Sequence, residues 1–124
     1  VDPNKVIDGS ATDTEKALYT ASRVIFHGAF ALDVFSTIKM LAAGWHELNP
    51  MYTLFGATNV VGVVASMIVV HLAITFLASW LFKKMKEKQG PERRNTLAFA
   101  LGMLLLVAGA HIGGFLQNLP AFMP

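Results

Sequence analysis

Polar and apolar positions along this chain fall in blocks. A polar opening segment runs to Arg23, and an apolar block covers 24–44. A short polar interruption leads to a second apolar block at 57–82. A basic segment and a third apolar block, 96–116, complete the pattern. A helix needs about 20 predominantly apolar residues to cross a bilayer, and each block reaches that length. The second block carries one ionisable side chain, His71, and the third carries one, His111. Helices of a soluble bundle would each keep a charged face. The pattern therefore predicts an all-α integral membrane protein with three transmembrane helices. It divides into an irregular tail over 1–11, one three-helix domain over 12–118, and an interfacial tail over 119–124.

Local signals place the ends. Thr12-Asp13-Thr14-Glu15 is a capping-box sequence, so the first helix is expected to start there. "GWHELNP", residues 44–50, reads as stop, turn and start. Gly44 suits a helix end, Asn49 suits an N-cap, and Pro50 suits the first position of the second helix. Trp45 and Tyr52 are expected at the membrane interface. Glu47 is expected near the positive end of the second helix. That helix is expected to run to about Lys88, with Trp80 and Phe82 at the opposite interface. Gly90 and Pro91 separate it from the third helix, which is expected to end near Gln117 and Asn118.

Charge then orients the chain. Lys83, Lys84, Lys86, Lys88, Arg93 and Arg94 cluster between the second and third blocks. Such clusters mark the cytoplasmic side, so both the N-terminus and this turn are expected inside. The 44–50 turn and the C-terminus are expected outside. The six basic side chains are candidates for contact with lipid head groups. They lack interleaved aromatics, and no nucleic-acid partner is expected. Only 15% of residues are charged, and the mean hydropathy is +0.51. An ordinary soluble domain carries roughly 25% charge. The absence of cysteine excludes disulfides and thiolate metal sites. The first 23 residues do not read as a signal peptide.

Ionisable groups at membrane depth are functional candidates by default. Counting rise along each helix puts Asp33 at about 14 Å and His71 at about 16 Å from the inner surface. Lys39 and His111 both fall at about 22 Å. Depth thus predicts an intramembrane pair of Asp33 with His71, supported by Ser36, Thr37 and Thr75. Lys39 is expected to reach for the interface. His27 falls near the inner surface, and no two histidines are level, so haem fits poorly. No catalytic residue, metal site or cofactor is expected. Gly62, Ser66, Gly102, Gly109 and Gly113 are small residues suited to close helix packing. On the second and third helices they lie away from the histidines. Each of those helices therefore has a second face that needs a neighbour.

Residues 32–56, "LDVFSTIKMLAAGWHELNPMYTLFG", resemble the signature of a family of small prokaryotic multi-span membrane proteins with no assigned activity. The matching positions are Asp33, Ser36, Thr37, Gly44, Glu47, Asn49 and Pro50. The resemblance implies that Asp33, Glu47 and Asn49 form one polar cluster in a prokaryotic cytoplasmic membrane protein. The leading functional expectation is an accessory or scaffold subunit, packed against copies of itself or other membrane proteins. The alternatives are a small proton- or ion-conducting or pore-forming protein, and a subunit of a metal or redox membrane enzyme.

Overall fold

The computed structural model describes residues 10–47, 49–53 and 58–123. Most of the expected N-terminal tail and the first residue of the second apolar block, Ala57, lie outside the described residues. Helix α1 spans Asp13–Ala42. Its capping box is closed: the Thr12 hydroxyl accepts from the Glu15 amide at 3.1 Å, and the Glu15 carboxylate accepts from the Thr12 amide at 2.8 Å. The chain leaves α1 through Gly44, whose φ of +89° favours a residue without Cβ.

The second helix starts later than the sequence predicts. Pro50–Tyr52 forms only a short 3-10 turn, with the Tyr52 amide donating to the Asn49 carbonyl at 2.9 Å. Helix α2 spans Val60–Met85 and is capped by Asn59, whose side-chain oxygen accepts from the Gly62 amide at 2.7 Å. Asn49 and Pro50 thus begin a turn that folds back over the bundle. Glu47, expected near a helix terminus, instead accepts from the Asn49 amide at 2.9 Å. Helix α3 spans Gly90–Asn118, with Gly90 at φ +57° and Pro91 in the first turn. A last 3-10 turn, Leu119–Phe122, closes the described chain.

All three helices are long and apolar enough to cross a membrane. Helix α3 is central: α1 and α2 each lean mainly on it and touch one another less. One apolar cluster joins Tyr19, Phe26, Ala29, Ala78, Leu104 and Ala108. A smaller one, nearer the 44–52 turn, joins Tyr52, Val63 and Met67. The distribution of polarity is inverted relative to a water-soluble fold. Asp33, Ser36, Thr37, Arg93, His111 and Asn118 are buried, while Val61, Phe76, Phe99 and Leu106 are well exposed. An outward apolar surface of this extent needs an apolar solvent or a partner.

Arg93 departs from its expected place among the lipid head groups. It is only 5% exposed. Its guanidinium donates twice to the Glu15 carboxylate, at 2.7 Å each. It also donates to the carbonyls of Ser10 at 2.9 Å and Lys88 at 3.1 Å, and to those of Met85 and Lys86 at 3.4 Å each. The physical reason is twofold. The C-terminal carbonyls of α2 have no helical partners, and a planar fork with five donors satisfies several at once. Glu15 precedes the apolar block, and the hydrogen-bonded Arg93 holds its carboxyl down to about 2. Lys83, Lys84, Lys86, Lys88 and Arg94 keep some exposure at this end. Phe82 stacks on Tyr19 at 4.2 Å.

Candidate functional site

Asp33 faces α3, because the side chains of Asp33, Ser36, Thr37 and Met40 share the buried face of α1 at helical spacing. Its partner there is His111. The His111 Nδ1 lies 2.7 Å from the Asp33 Oδ2, and both side chains are almost fully buried. The Thr37 hydroxyl donates to the other carboxylate oxygen at 3.3 Å. Ser36 donates to the Asp33 carbonyl at 3.1 Å. The Asn118 side-chain amide donates to the Ser36 hydroxyl at 3.0 Å and the Thr37 hydroxyl at 3.3 Å. Gly114 allows the approach: a Cβ there would stand 2.8 Å from the Asp33 Oδ1. Tyr52 completes the group from the 3-10 turn, with its hydroxyl 3.1 Å from the same His111 Nδ1. Burial raises the Tyr52 phenol above its ordinary value, assisted by the Asp33 and Glu47 carboxylates. Tyr52 is therefore a neutral hydroxyl, and it points inward instead of marking the interface.

The expected pairing of Asp33 with His71 is thus replaced by Asp33 with His111. Depth along a straight axis ignores the rotation of each helix and which helices touch. His71 turns to α1 at a different level, where its Nε2 lies 2.9 Å from the His27 Nδ1. Its ring lies nearly parallel to Phe30 at 3.8 Å and to Phe26 at 4.5 Å. One face of an imidazole cannot hold two parallel rings at those distances, so the phenylalanines cover both faces. Thr75 donates to the His71 carbonyl at 2.8 Å and does not join the Asp33 group. Lys39 is exposed and takes no part in the cluster.

Beside Asp33 lies a pocket of about 370 Å³. Asp33, Glu47, Asn49, Tyr52, Gln117 and Asn118 line it, with Gly113 and Gly114 on one wall. Among the described residues, no Lys or Arg lines it. The proton count in this layer is tight. The His111 Nδ1 faces both a carboxylate and a phenol, so one ring position must serve two oxygens. A hydrogen there can be shared between them; without one, Asp33 or Tyr52 must donate. An acid, an imidazole and a phenol that differ only in where a proton sits can hold and release one. Among the described residues, no group of three or more His, Asp, Glu or Cys could hold a metal ion.

The expected packing glycines behave differently from Gly114. Among the described residues, a Cβ on Gly102, Gly109 or Gly113 would meet nothing within 4 Å, so none of the three marks a close helix approach there. Ser66 is buried and donates to the Gly62 carbonyl at 2.9 Å. Sequence reasoning missed His111, Tyr52, Asn118, Gly114 and His27 as members of the two clusters. For α3 the signal was present: His111, Gly114 and Asn118 are spaced i, i+3 and i+7, one helix face. No family model, curated protein or solved structure matches this chain.

Proposed function

We propose that this chain is a small integral membrane protein that holds and exchanges a proton at Asp33 and His111. The pocket beside them opens on the outer side of the membrane, and the N-terminus and the 86–89 turn lie inside. The observation that carries the reading is the buried Asp33–His111–Tyr52 group directly beside a polar pocket. Ionisable groups at such depth are costly and are kept where they work. The basic residues at the 86–89 end support the orientation.

Infrared difference spectra of the protein in lipid nanodiscs test this directly. A carboxyl band should distinguish the protonated from the deprotonated site. Asp33→Asn should remove it. A spectrum with no Asp33-dependent change would refute the reading. The chain has no cysteine, so Glu47→Cys and Lys88→Cys each give a single label site. An impermeant maleimide should reach the first from outside and the second only from inside.

A second reading concerns assembly: the protein acts as a subunit, beside copies of itself or within a larger membrane complex. The open glycines on α3 favour it, since Gly102 and Gly109 sit among exposed Phe99, Leu105 and Leu106. Small residues on such a face let a neighbouring helix approach closely. Native mass spectrometry from the source membrane should give a multiple of 13.5 kDa or a mixed complex. A lone monomer would refute it.

A further inference from the structure

We propose that the two histidine clusters are halves of one proton path through the bundle, with Phe30 as the plug between them. The proposal rests on the reading that Asp33 and His111 exchange a proton with the outer pocket. Its own support is separate. Two buried ring nitrogens, the Nε2 of His111 and the Nδ1 of His71, have no hydrogen-bond partner among the described residues. Leaving a buried polar atom unpaired is costly, and such atoms in native proteins call for an explanation. Here each orphan is the second nitrogen of a ring whose first nitrogen is already engaged. Both rings touch the same phenylalanines. Phe30 stacks on His71 at 3.8 Å and meets His111 edge-on at 5.4 Å, while Phe26 lies 4.5 Å from His71 and 6.1 Å from His111. Phe26 and Phe30 therefore lie against both rings that carry an orphan nitrogen.

The path needs an opening at each end. At one end is the pocket beside Asp33. At the other end, an open groove of about 480 Å³ is lined by Tyr19, Arg23, Leu72, Thr75, Phe76 and Ser79, a lining that approaches His27 and His71 by one helical turn. Arg23 lies one turn before His27, and Thr75 lies one turn after His71. The charged and titratable neighbours are few. His111 faces Asp33 from α1 and Tyr52 from the 3-10 turn, His71 faces His27 from α1, and Arg23 lies on the groove side of His27.

A proton from the pocket turns the Asp33–His111 pair into carboxylate and imidazolium. When Phe30 moves aside, the imidazolium gives its Nε2 proton to the Nδ1 of His71 through one water. His71 releases its own Nε2 proton to the Nδ1 of His27, and His27 releases its Nε2 proton to the groove. Asp33 and His111 then take a new proton from the pocket. The rings must return to their starting tautomers before the next transfer, and the sequence runs equally in reverse.

Proteoliposomes loaded with a pH-sensitive dye, under a potassium–valinomycin potential, supply the test. Wild-type protein should acidify the lumen several-fold faster than protein-free vesicles. His71→Gln and His27→Gln should each bring the rate back to that of protein-free vesicles, while Lys39→Met should keep the wild-type rate. His27 is only half-buried, so its variant keeps the test decisive if His71→Gln fails to fold. Flux that survives His27→Gln would overturn the path. Wild-type flux no faster than empty vesicles would also overturn it. In that case the Asp33-dependent infrared band decides separately whether the outer site itself exchanges a proton.

Discussion

Replacing Gly114 by Ala should destabilise the protein, although the same change nearby should stabilise it. In a helix interior Gly→Ala ordinarily gains about 1 kcal/mol. At Gly114 the new methyl would stand 2.8 Å from the Asp33 Oδ1 and 3.2 Å from its Cγ and Oδ2. The carboxylate cannot swing away freely, because Thr37 holds one oxygen and His111 the other. It must move by several tenths of an ångström, which lengthens a 2.7 Å buried contact. A hydrogen bond to a charged group contributes about 1.5–3 kcal/mol. Subtracting the helix gain leaves a net loss of about 0.5–2 kcal/mol. Gly109→Ala, on the same helix with open space around it, should gain up to about 1 kcal/mol. Reversible unfolding by SDS titration in mixed micelles compares the two. If both substitutions shift stability in the same direction, the close approach of Gly114 to Asp33 is not what holds the carboxylate.

Arg93→Met should cost about 3 kcal/mol or more, since it strands Glu15 and several carbonyls; an unfolding midpoint within error of wild type would contradict the clamp. Glu15 has a folded pKa lowered from 4.5 to about 2. Its contribution should be complete above pH 4.5 and fade as pH falls toward 2, and Glu15→Gln should flatten the dependence over that window. Asp33→Asn should lose about 2–3 kcal/mol by disrupting the buried pair, while Lys39→Met, at an exposed position, should stay within about 0.5 kcal/mol. Equal effects in the same unfolding assay would place Asp33 outside the core network.

The three-helix architecture was legible because a helix able to span a bilayer has a required apolar length. The 57–82 and 96–116 blocks each carry a single ionisable side chain, a histidine. The capping box at Thr12 was legible because it is a local contact across three residues. The start of α2 was not. Asn49-Pro50 and Asn59 both offer helix-start chemistry, and the choice of Asn59 lets Tyr52 fold onto His111. The partner of Asp33 was hidden for a related reason. Depth along an axis is readable from residue counts, but the rotation of each helix is settled by contacts far apart in sequence. Asp33 and His111 are 78 residues apart. The burial of Arg93 was hidden inside a run of lysines whose composition reads as solvated surface.

The Arg93 clamp has a bearing on how the protein is made. Ribosomal synthesis proceeds from the N-terminus, so Glu15 and the end of α2 leave the ribosome before Arg93 does. Until then the Glu15 carboxylate keeps its water, and the carbonyls of Met85, Lys86 and Lys88 lack the donor they finally receive. Lateral docking of α1 and α2 is therefore incomplete by design of the chain order, and the third helix arrives carrying the part that closes it. A chain released before Arg93 would keep an unpaired acid at Glu15 and a frayed end on α2.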